Sequence, residues 1–168
     1  MAPDSIGTYK DPLRDTIFRY FGYAVLIGET LQPLFQDCSD NGQTQILAAF
    51  PLMQQVYIFT DTVSQLSICD YVGCTLDETL LTLADMIIYD LLSCIYFPTV
   101  VVETVSYATE SSLKYFEIDE RIVTYVPPIV AIASLWFLSD EIDNISHIVM
   151  DLTIRQFYQF ILGDAEHG

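Results

Sequence analysis

The feature that most constrains the fold of this chain is an uncharged stretch of 18 residues, 122–139, "IVTYVPPIVAIASLWFLS". A helix needs about 20 predominantly apolar residues to cross the hydrocarbon core of a bilayer. This stretch is therefore the strongest candidate for a membrane span. The pair Pro127-Pro128 predicts that the helix either begins there or bends sharply, because proline cannot donate the backbone hydrogen bond of a helix interior.

The composition combines high hydrophobicity with strong acidity. Hydrophobic residues make up 52% of the 168 residues, yet 23 Asp and Glu stand against six Lys and Arg, for a net charge of −17. Apolar helices joined by acidic connections account for both facts, whereas acidic disordered chains are poor in apolar residues. The acidity argues against a nucleic-acid partner, since phosphate binding needs clustered Lys and Arg.

We predict a single helical membrane domain over residues 1–168, with an N-terminal extension (1–13), a helical core (14–162) and a tail (163–168).

Five apolar segments are bounded by charged or turn-forming residues. They cover residues 16–35, 44–67, 76–105, 121–142 and 144–162. All of them are longer than typical strands. We therefore predict an all-α, multi-pass helical membrane protein with three to four hydrophobic helices and a C-terminal amphipathic helix. Pro98 is expected to kink the third segment, and Asn144 is a candidate N-cap for the fifth.

The sequence offers little for catalysis. It contains no Gly-rich phosphate loop or nucleophile elbow, and His147 has no second catalytic group at a suitable spacing, so we interpret it as a capping or surface histidine. Cys38, Cys69, Cys74 and Cys94 lack Cys-x-x-Cys spacing, which predicts isolated thiols rather than a zinc site or a disulfide. We predict no catalytic, cofactor-binding or metal-binding residue, and that the protein is not an enzyme.

Four carboxylates lie inside or at the ends of the apolar segments, where ionisable groups are costly and often functional. One interpretation is proton or cation handling by a small membrane protein, and the other is polar contact within a helical bundle. Asp85 and Asp90 lie roughly 140° apart around a helix, which argues against a simple two-carboxylate site. The four residues are Asp61, Asp85, Asp90 and Glu103.

Half of the cations lie close together near the N-terminus, as Lys10, Arg14 and Arg19. Tyr20 and Tyr23 follow, and arginine with tyrosine at the edge of an apolar run is typical of a membrane-interface belt. A few residues later, Gly28 is small enough to allow close approach of another helix. We predict that Arg14, Arg19, Tyr20, Tyr23 and Gly28 form a lipid or partner interface.

Residues 14–29, "RDTIFRYFGYAVLIGE", resemble the first conserved block of the mitochondrial fission process protein family. Three later stretches resemble the family in the same order: "YIFTDTVSQ", "TLADMIIYDLLSCIYFPTVVVETV" and "MDLTIRQFY". The resemblance covers roughly residues 10–158 and is densest in the first block. The matching residues of that block are Arg14, Asp15, Thr16, Arg19, Tyr20, Gly22, Tyr23, Gly28 and Glu29.

Several polar residues in these stretches are expected to make structural contacts. Asp15 can pair with Arg19 at a spacing of four residues, and Glu29 is expected to bond within the bundle. The last stretch keeps the family pattern Asp-x-x-x-Arg-x-x-Tyr as Asp151, Arg155 and Tyr158, which lie on adjacent helical turns. On such a helix, Arg155 can bond Asp151 and cover the Tyr158 ring.

The resemblance implies a non-catalytic, multi-pass protein of the mitochondrial inner membrane that acts through partners in mitochondrial fission and bioenergetics. The chain departs from the family in its acidity, including Glu103 and the pair Asp140-Glu141. These departures leave open a second role, as an accessory subunit of a respiratory or ATP-synthase complex. The expected partners are other inner-membrane subunits and membrane lipids, with cardiolipin as one candidate at the N-terminal arginines.

Overall fold

The computed structural model describes residues 13–14, 16–35 and 40–156, with side chains described at 13–14, 16–33 and 48–156. Within these residues every regular element is helical, which confirms the all-α fold class. A 3₁₀ helix, Ile17–Tyr23, leads into α1 (Ala24–Leu31) and a second 3₁₀ turn, Gln32–Phe35. The long elements are α2 (Asp40–Val72), α3 (Leu76–Asp90), α4 (Phe97–Tyr115) and α5 (Glu120–Leu152). Predictions that concern Lys10, Asp15, Cys38 and Tyr158 lie outside the described side chains.

The turn between α2 and α3 is stabilised by a glycine, a capping box and a disulfide. Gly73 has a φ of 82°, a left-handed conformation that glycine adopts without a steric penalty. Thr75 and Glu78 then form a capping box at the start of α3, in which each side chain accepts a hydrogen bond from the other's backbone N–H. Cys69 and Cys74 are joined by a disulfide across this turn, so the prediction of isolated thiols was wrong for that pair. The reversal at Gly73 brings their Cα atoms to 5.4 Å, a proximity that their sequence spacing alone did not indicate.

Helices α3 and α4 form one continuous helix through a π-helical segment, Leu91–Tyr96. Pro98 follows directly and, lacking a backbone N–H, cannot close a regular bond to the carbonyl four residues earlier. The wider π-helical turns lie just before Pro98, and the kink expected at this residue stays a prediction.

Helix α5 joins two segments that we had predicted to be separate. It begins after the Asp119 cap, so of the two alternatives at Pro127-Pro128 the helix start is excluded and the bend stays a prediction; the prediction of Asn144 as an N-cap was wrong. Nothing in residues 140–144 breaks a helix, and one buried stripe continues through them at spacings of three and four residues. The stripe consists of Ala131, Leu135, Ser139, Ile142, Ser146 and Met150.

The helices pack as two consecutive pairs, α2 with α3 and α4 with α5, and the N-terminal 3₁₀ helix and α1 lie against α2 and α5. Tyr23 packs in the apolar core with Val102 of α4 and with Ala131, Leu135 and Ile142 of α5. The Tyr23 side chain of the N-terminal segment thus lies in the core of the bundle, while Ile17 and Phe18 of the same segment are exposed.

Two helices of the described chain are long and apolar enough to cross a membrane. They are Leu76–Tyr115, which is α3 and α4 together, and Glu120–Gln156, which includes α5. This criterion uses length and composition only, and the core helix of a water-soluble protein can also meet it.

Candidate functional site

The interior of the bundle holds an ion pair between Arg14 and Asp61 of α2. The Arg14 Nη2 and Nε atoms donate to Asp61 Oδ2 at 2.7 and 3.1 Å, and the Asp61 side chain is completely buried. The Arg14 guanidinium also lies over the Tyr89 ring of α3, 4.2 Å from its centroid. Burial disfavours the charged guanidinium, but its hydrogen bond with Asp61 and the attraction of that carboxylate outweigh this cost and raise the pKa of Arg14 above its ordinary value.

Arg19 joins the N-terminal 3₁₀ helix to α5. Its guanidinium pairs with both carboxylate oxygens of Asp143, with Nη2 2.5 Å from Oδ1. The same Nη2 donates to the Ser139 carbonyl oxygen at 2.7 Å, and Nη2 and Nε both lie within 2.9 Å of the Tyr23 hydroxyl. Only 6% of Arg19 is exposed, so these contacts supply the hydrogen bonds that water would otherwise make.

Arg155, which lies just beyond the end of α5, makes the third pair, with Asp85 of α3. Its Nη2 atom lies 2.8 Å from Asp85 Oδ2, and its Nη1 atom lies 2.7 Å from Asp151 Oδ1. The contact with Asp151 is the one that the helical spacing predicted, whereas the contact with Asp85 depends on the packing of two helices. This pair is more exposed than the other two, with 36% of the Arg155 side chain accessible.

Tyr89 lies between Arg14 and His147: the Arg14 guanidinium lies against its ring, and the His147 ring packs against it with a centroid distance of 4.7 Å. His147 lies within α5 and is partly buried, so its prediction as a capping histidine was wrong. The continuity of α5 is the reason, since no helix begins at this position.

The remaining residues of the predicted interface lie in different surroundings. Tyr20 is partly exposed and stacks on Trp136, with centroids 4.8 Å apart and ring planes 12° from parallel. Gly28 packs so closely against Phe50 that an added Cβ would lie 2.5 Å from its ring. Tyr23 is buried within the bundle. A role of this set in lipid or partner contact stays a prediction, and the contacts described here are all within the chain.

The acidic residues of the apolar segments do not share one environment. Asp61 and Asp90 are buried and both act electrostatically on Arg14, whereas Asp85 faces Arg155. Glu103 is exposed on α4, and Glu29 is exposed on α1. The structure therefore brings Asp61 and Asp90 towards one cation, and it does not gather all four candidate carboxylates.

Sequence reasoning did not single out Asp143, Ser139 or Gln54 as functional or structural contacts. The Gln54 side chain donates to the Gly22 carbonyl oxygen at 2.7 Å and is itself buried. A helical wheel for one continuous α5 would have placed Ser139 and Ile142 on the buried stripe, with Asp143 beside it. The incorrect break at Asn144 concealed this signal.

The outer surface of the bundle carries large apolar side chains, while several polar ones are buried. Phe59 of α2 is 70% exposed and Phe137 of α5 is 81% exposed, although Asp61 and Ser146 are completely buried. This distribution is unusual for a water-soluble monomer, in which large contiguous apolar patches are rare.

A cleft of about 500 Å³ opens beside the arginine pairs, where the N-terminal 3₁₀ helix meets the middle of α5. It is bounded by charged, hydroxyl and aromatic side chains. The lining residues are Arg14, Thr16, Ile17, Arg19, Tyr20, Trp136, Ser139 and Asp140.

Comparison with known proteins identifies no relative of this chain. No protein-family model matches the chain, and neither a curated protein nor a solved structure matches it. The similarity to the mitochondrial fission process protein family accordingly stays a prediction from the quoted residues.

Proposed function

We propose that this chain is a non-catalytic integral membrane protein that acts through contacts of its apolar outer surface with lipids and other membrane subunits. The observation that carries this proposal is the inverted distribution of polarity, with arginine–aspartate pairs inside and large apolar side chains outside. In a bilayer, ionisable groups are stable when they face the bundle interior and pair with one another, and exposed apolar groups meet hydrocarbon rather than water.

The internal pairs give this protein a structural means of holding apolar helices together. Lipid tails are as apolar as leucine, so burial of apolar surface does not by itself drive helix association in a bilayer. Arg14, Arg19 and Arg155 each connect segments distant in sequence, through Asp61, Asp143 and Asp85. A rigid bundle held in this way suits a scaffold or accessory subunit that presents a fixed surface to its neighbours.

The location and the partners follow from the resemblance. We propose the mitochondrial inner membrane, with a role either in fission and bioenergetics or as an accessory subunit of a respiratory or ATP-synthase complex. More than two helices cross the membrane in this proposal, with α2 and the N-terminal helical segment accompanying the two long apolar helices.

The test has two steps. Organelle membranes are first extracted with alkaline carbonate, and the chain is expected in the pellet; its release into the supernatant would refute membrane integration. Mild detergent extraction and native electrophoresis follow, and the chain is expected to comigrate with a large inner-membrane assembly. Migration as an isolated monomer would refute the subunit role while leaving membrane integration intact.

The alternative is a small ion- or proton-handling protein that uses intramembrane carboxylates. The burial of Asp61 and Asp90 near one guanidinium favours it, since such groups are frequent in ion pathways. It predicts that reconstituted vesicles leak a specific ion and that Asp85→Asn or Asp61→Asn abolishes the leak. A flux equal to that of empty vesicles would remove this alternative.

A further inference from the structure

One carboxylate on the outer surface of α4 lies between large apolar side chains. Glu103 is exposed, and its carboxylate makes no ion pair or hydrogen bond within the described part of the chain. Tyr96, Val100 and Tyr107 lie on the same side of the helix, at successive spacings of three and four residues, and all three are exposed. We call the surface formed by Tyr96, Val100, Glu103 and Tyr107 the Glu103 face.

The packing of α4 against α5 fixes the level of Glu103. The two helices run antiparallel from the turn that joins them, and the cleft between them is lined by residues from positions 106–114 and 120–128. Further from the turn, Val102 of α4 and Ala131 of α5 share the apolar core. Glu103 therefore lies level with about residue 131, which is the middle of the uncharged stretch of α5.

An ionised carboxylate at this level needs a counter-charge when the uncharged stretch spans the bilayer. Charged side chains are most unfavourable at the centre of a membrane span, and those that occur there pair with one another or face a water-filled cavity. Glu103 has neither arrangement within the described bundle, because it lies on the outer surface between Val100 and Tyr107. A second molecule that covers this surface can supply the missing cation.

We propose that the Glu103 face binds a membrane-spanning helix of a different subunit that carries a lysine or an arginine near its middle. The cation pairs with the Glu103 carboxylate, and the partner helix packs against the apolar side chains on either side of it. This pair also fixes the register of the partner, because a shift by one helical turn would leave both charges in hydrocarbon. The inference rests on the proposed membrane location, since it takes the uncharged stretch of α5 as a span.

A second copy of this chain does not fit the Glu103 face. Two copies in the same orientation place like groups at like depths, so a symmetric contact would bring two Glu103 carboxylates together. Arg19 contacts α5 at Ser139 and Asp143, and Arg121 lies at the start of α5. Each is at least about 12 Å along the helix from the level of Glu103, at 1.5 Å per residue. The other described cations lie further from it, namely Arg14, Lys114 and Arg155.

Photocrosslinking identifies the occupant of this face. The photoreactive residue p-benzoylphenylalanine replaces Tyr107 in the full-length chain, intact membranes are irradiated, and the crosslinked peptides are identified by mass spectrometry. We expect an adduct with an apolar segment of another protein that contains a lysine or an arginine. The same probe in place of Phe59, which is exposed on α2, should not capture that segment. Adducts with lipid alone, with a second copy, or with a segment that has no cation would overturn the proposal, as would equal capture from both positions.

Glu103→Gln tests the ion pair, because it keeps the size of the side chain and removes its charge. Glu141→Gln is the matched control, since Glu141 is also exposed but lies beyond the uncharged stretch. After mild detergent extraction and native electrophoresis, we expect Glu103→Gln to raise the ratio of free to assembled chain roughly 30-fold, as loss of one member of a desolvated charge pair implies. Glu141→Gln should behave like the wild type. An unchanged ratio for Glu103→Gln would overturn the pair.

Lys10→Gln tests the one cation of the chain that lies outside the described residues. We expect wild-type assembly from this variant, and a release equal to that of Glu103→Gln would overturn the assignment to another subunit.

Charge exchange completes the experiment. Glu103→Lys should release the chain, and a glutamate in place of the captured lysine or arginine of the partner should then restore assembly. No restoration would overturn the pair. All Glu103 variants should remain in the pellet after carbonate extraction, so failure of this proposal is distinct from failure of membrane integration, which would release the wild type as well.

Discussion

Replacement of Asp61 by asparagine tests the importance of the buried ion pairs most directly. The change keeps the shape of the side chain and one carbonyl oxygen, but it removes the charge that opposes Arg14. Two N–H groups of Arg14 converge on one oxygen of this completely buried carboxylate at 2.7 and 3.1 Å. Arg14 would then remain largely buried, with 16% of its side chain exposed and without its principal counter-charge.

The expected loss of stability is large. Breaking a buried ion pair by removing one partner typically costs about 3–5 kcal/mol. The retained amide oxygen and the nearby charge of Asp90 favour the lower end, about 3 kcal/mol, for Asp61→Asn. For a chain of this size that loss corresponds to a decrease in Tm of roughly 6–12 °C. Thermal unfolding of the detergent-purified protein, followed by circular dichroism, measures it.

Two further variants complete the experiment. Glu110→Gln removes one partner of the exposed Lys114–Glu110 pair and should leave Tm at the wild-type value, because water screens that pair. The double variant Arg14→Met, Asp61→Leu removes both charges and should recover much of the lost stability, since neither partner is left unpaired. If Asp61→Asn is as harmless as Glu110→Gln, or if the double variant is less stable than the single one, the reasoning is wrong.

Three other substitutions test separate features. Gly28→Ala should destabilise the protein by about 1–3 kcal/mol, because the added Cβ would overlap the Phe50 ring. The double variant Gly28→Ala, Phe50→Leu should regain part of this stability in the same melting assay. If it does not, the loss has no steric cause. Cys69→Ser should lower the free energy of unfolding by about 2 kcal/mol, because it removes the disulfide that closes a short loop with Cys74. An unchanged Tm under non-reducing conditions would contradict a stabilising disulfide between these residues. Asp85→Asn should lower the free energy of unfolding by about 1 kcal/mol, less than Asp61→Asn does, because the Arg155–Asp85 pair is partly exposed. Equal losses for the two variants would show that burial does not determine how much each ion pair contributes.

The helical fold class could be predicted from the sequence because its signals are local. The apolar segments are too long for strands, and the long helix α3–α4 has its π-helical segment just before Pro98, the residue at which a kink is predicted. The errors arose where a local signal was ambiguous. The polar residues around Asn144 looked like a helix boundary, yet they occupy the exposed side of a helix whose buried stripe is uninterrupted.

The candidate site could be predicted only in part. The arginines near the N-terminus stood out by their density, and the Asp151–Arg155 contact followed from helical spacing. Their other partners could not be chosen, because any of 23 acidic residues was available. Asp61 is 47 positions from Arg14, and Asp143 is 124 positions from Arg19.

The sequence by itself therefore determined that the chain forms long apolar helices and has too few cations to pair with all its acidic residues. Hydrophobic periodicity depends only on residues that are neighbours in the chain, and net charge depends only on composition. The tertiary structure decided which acids those cations meet. A guanidinium buried among apolar helices must find a carboxylate within hydrogen-bond distance, and only the packing of the N-terminal segment against α2 and α5 brings Asp61 and Asp143 there. The same packing created the cleft at Trp136 and Asp140, which no local pattern had indicated.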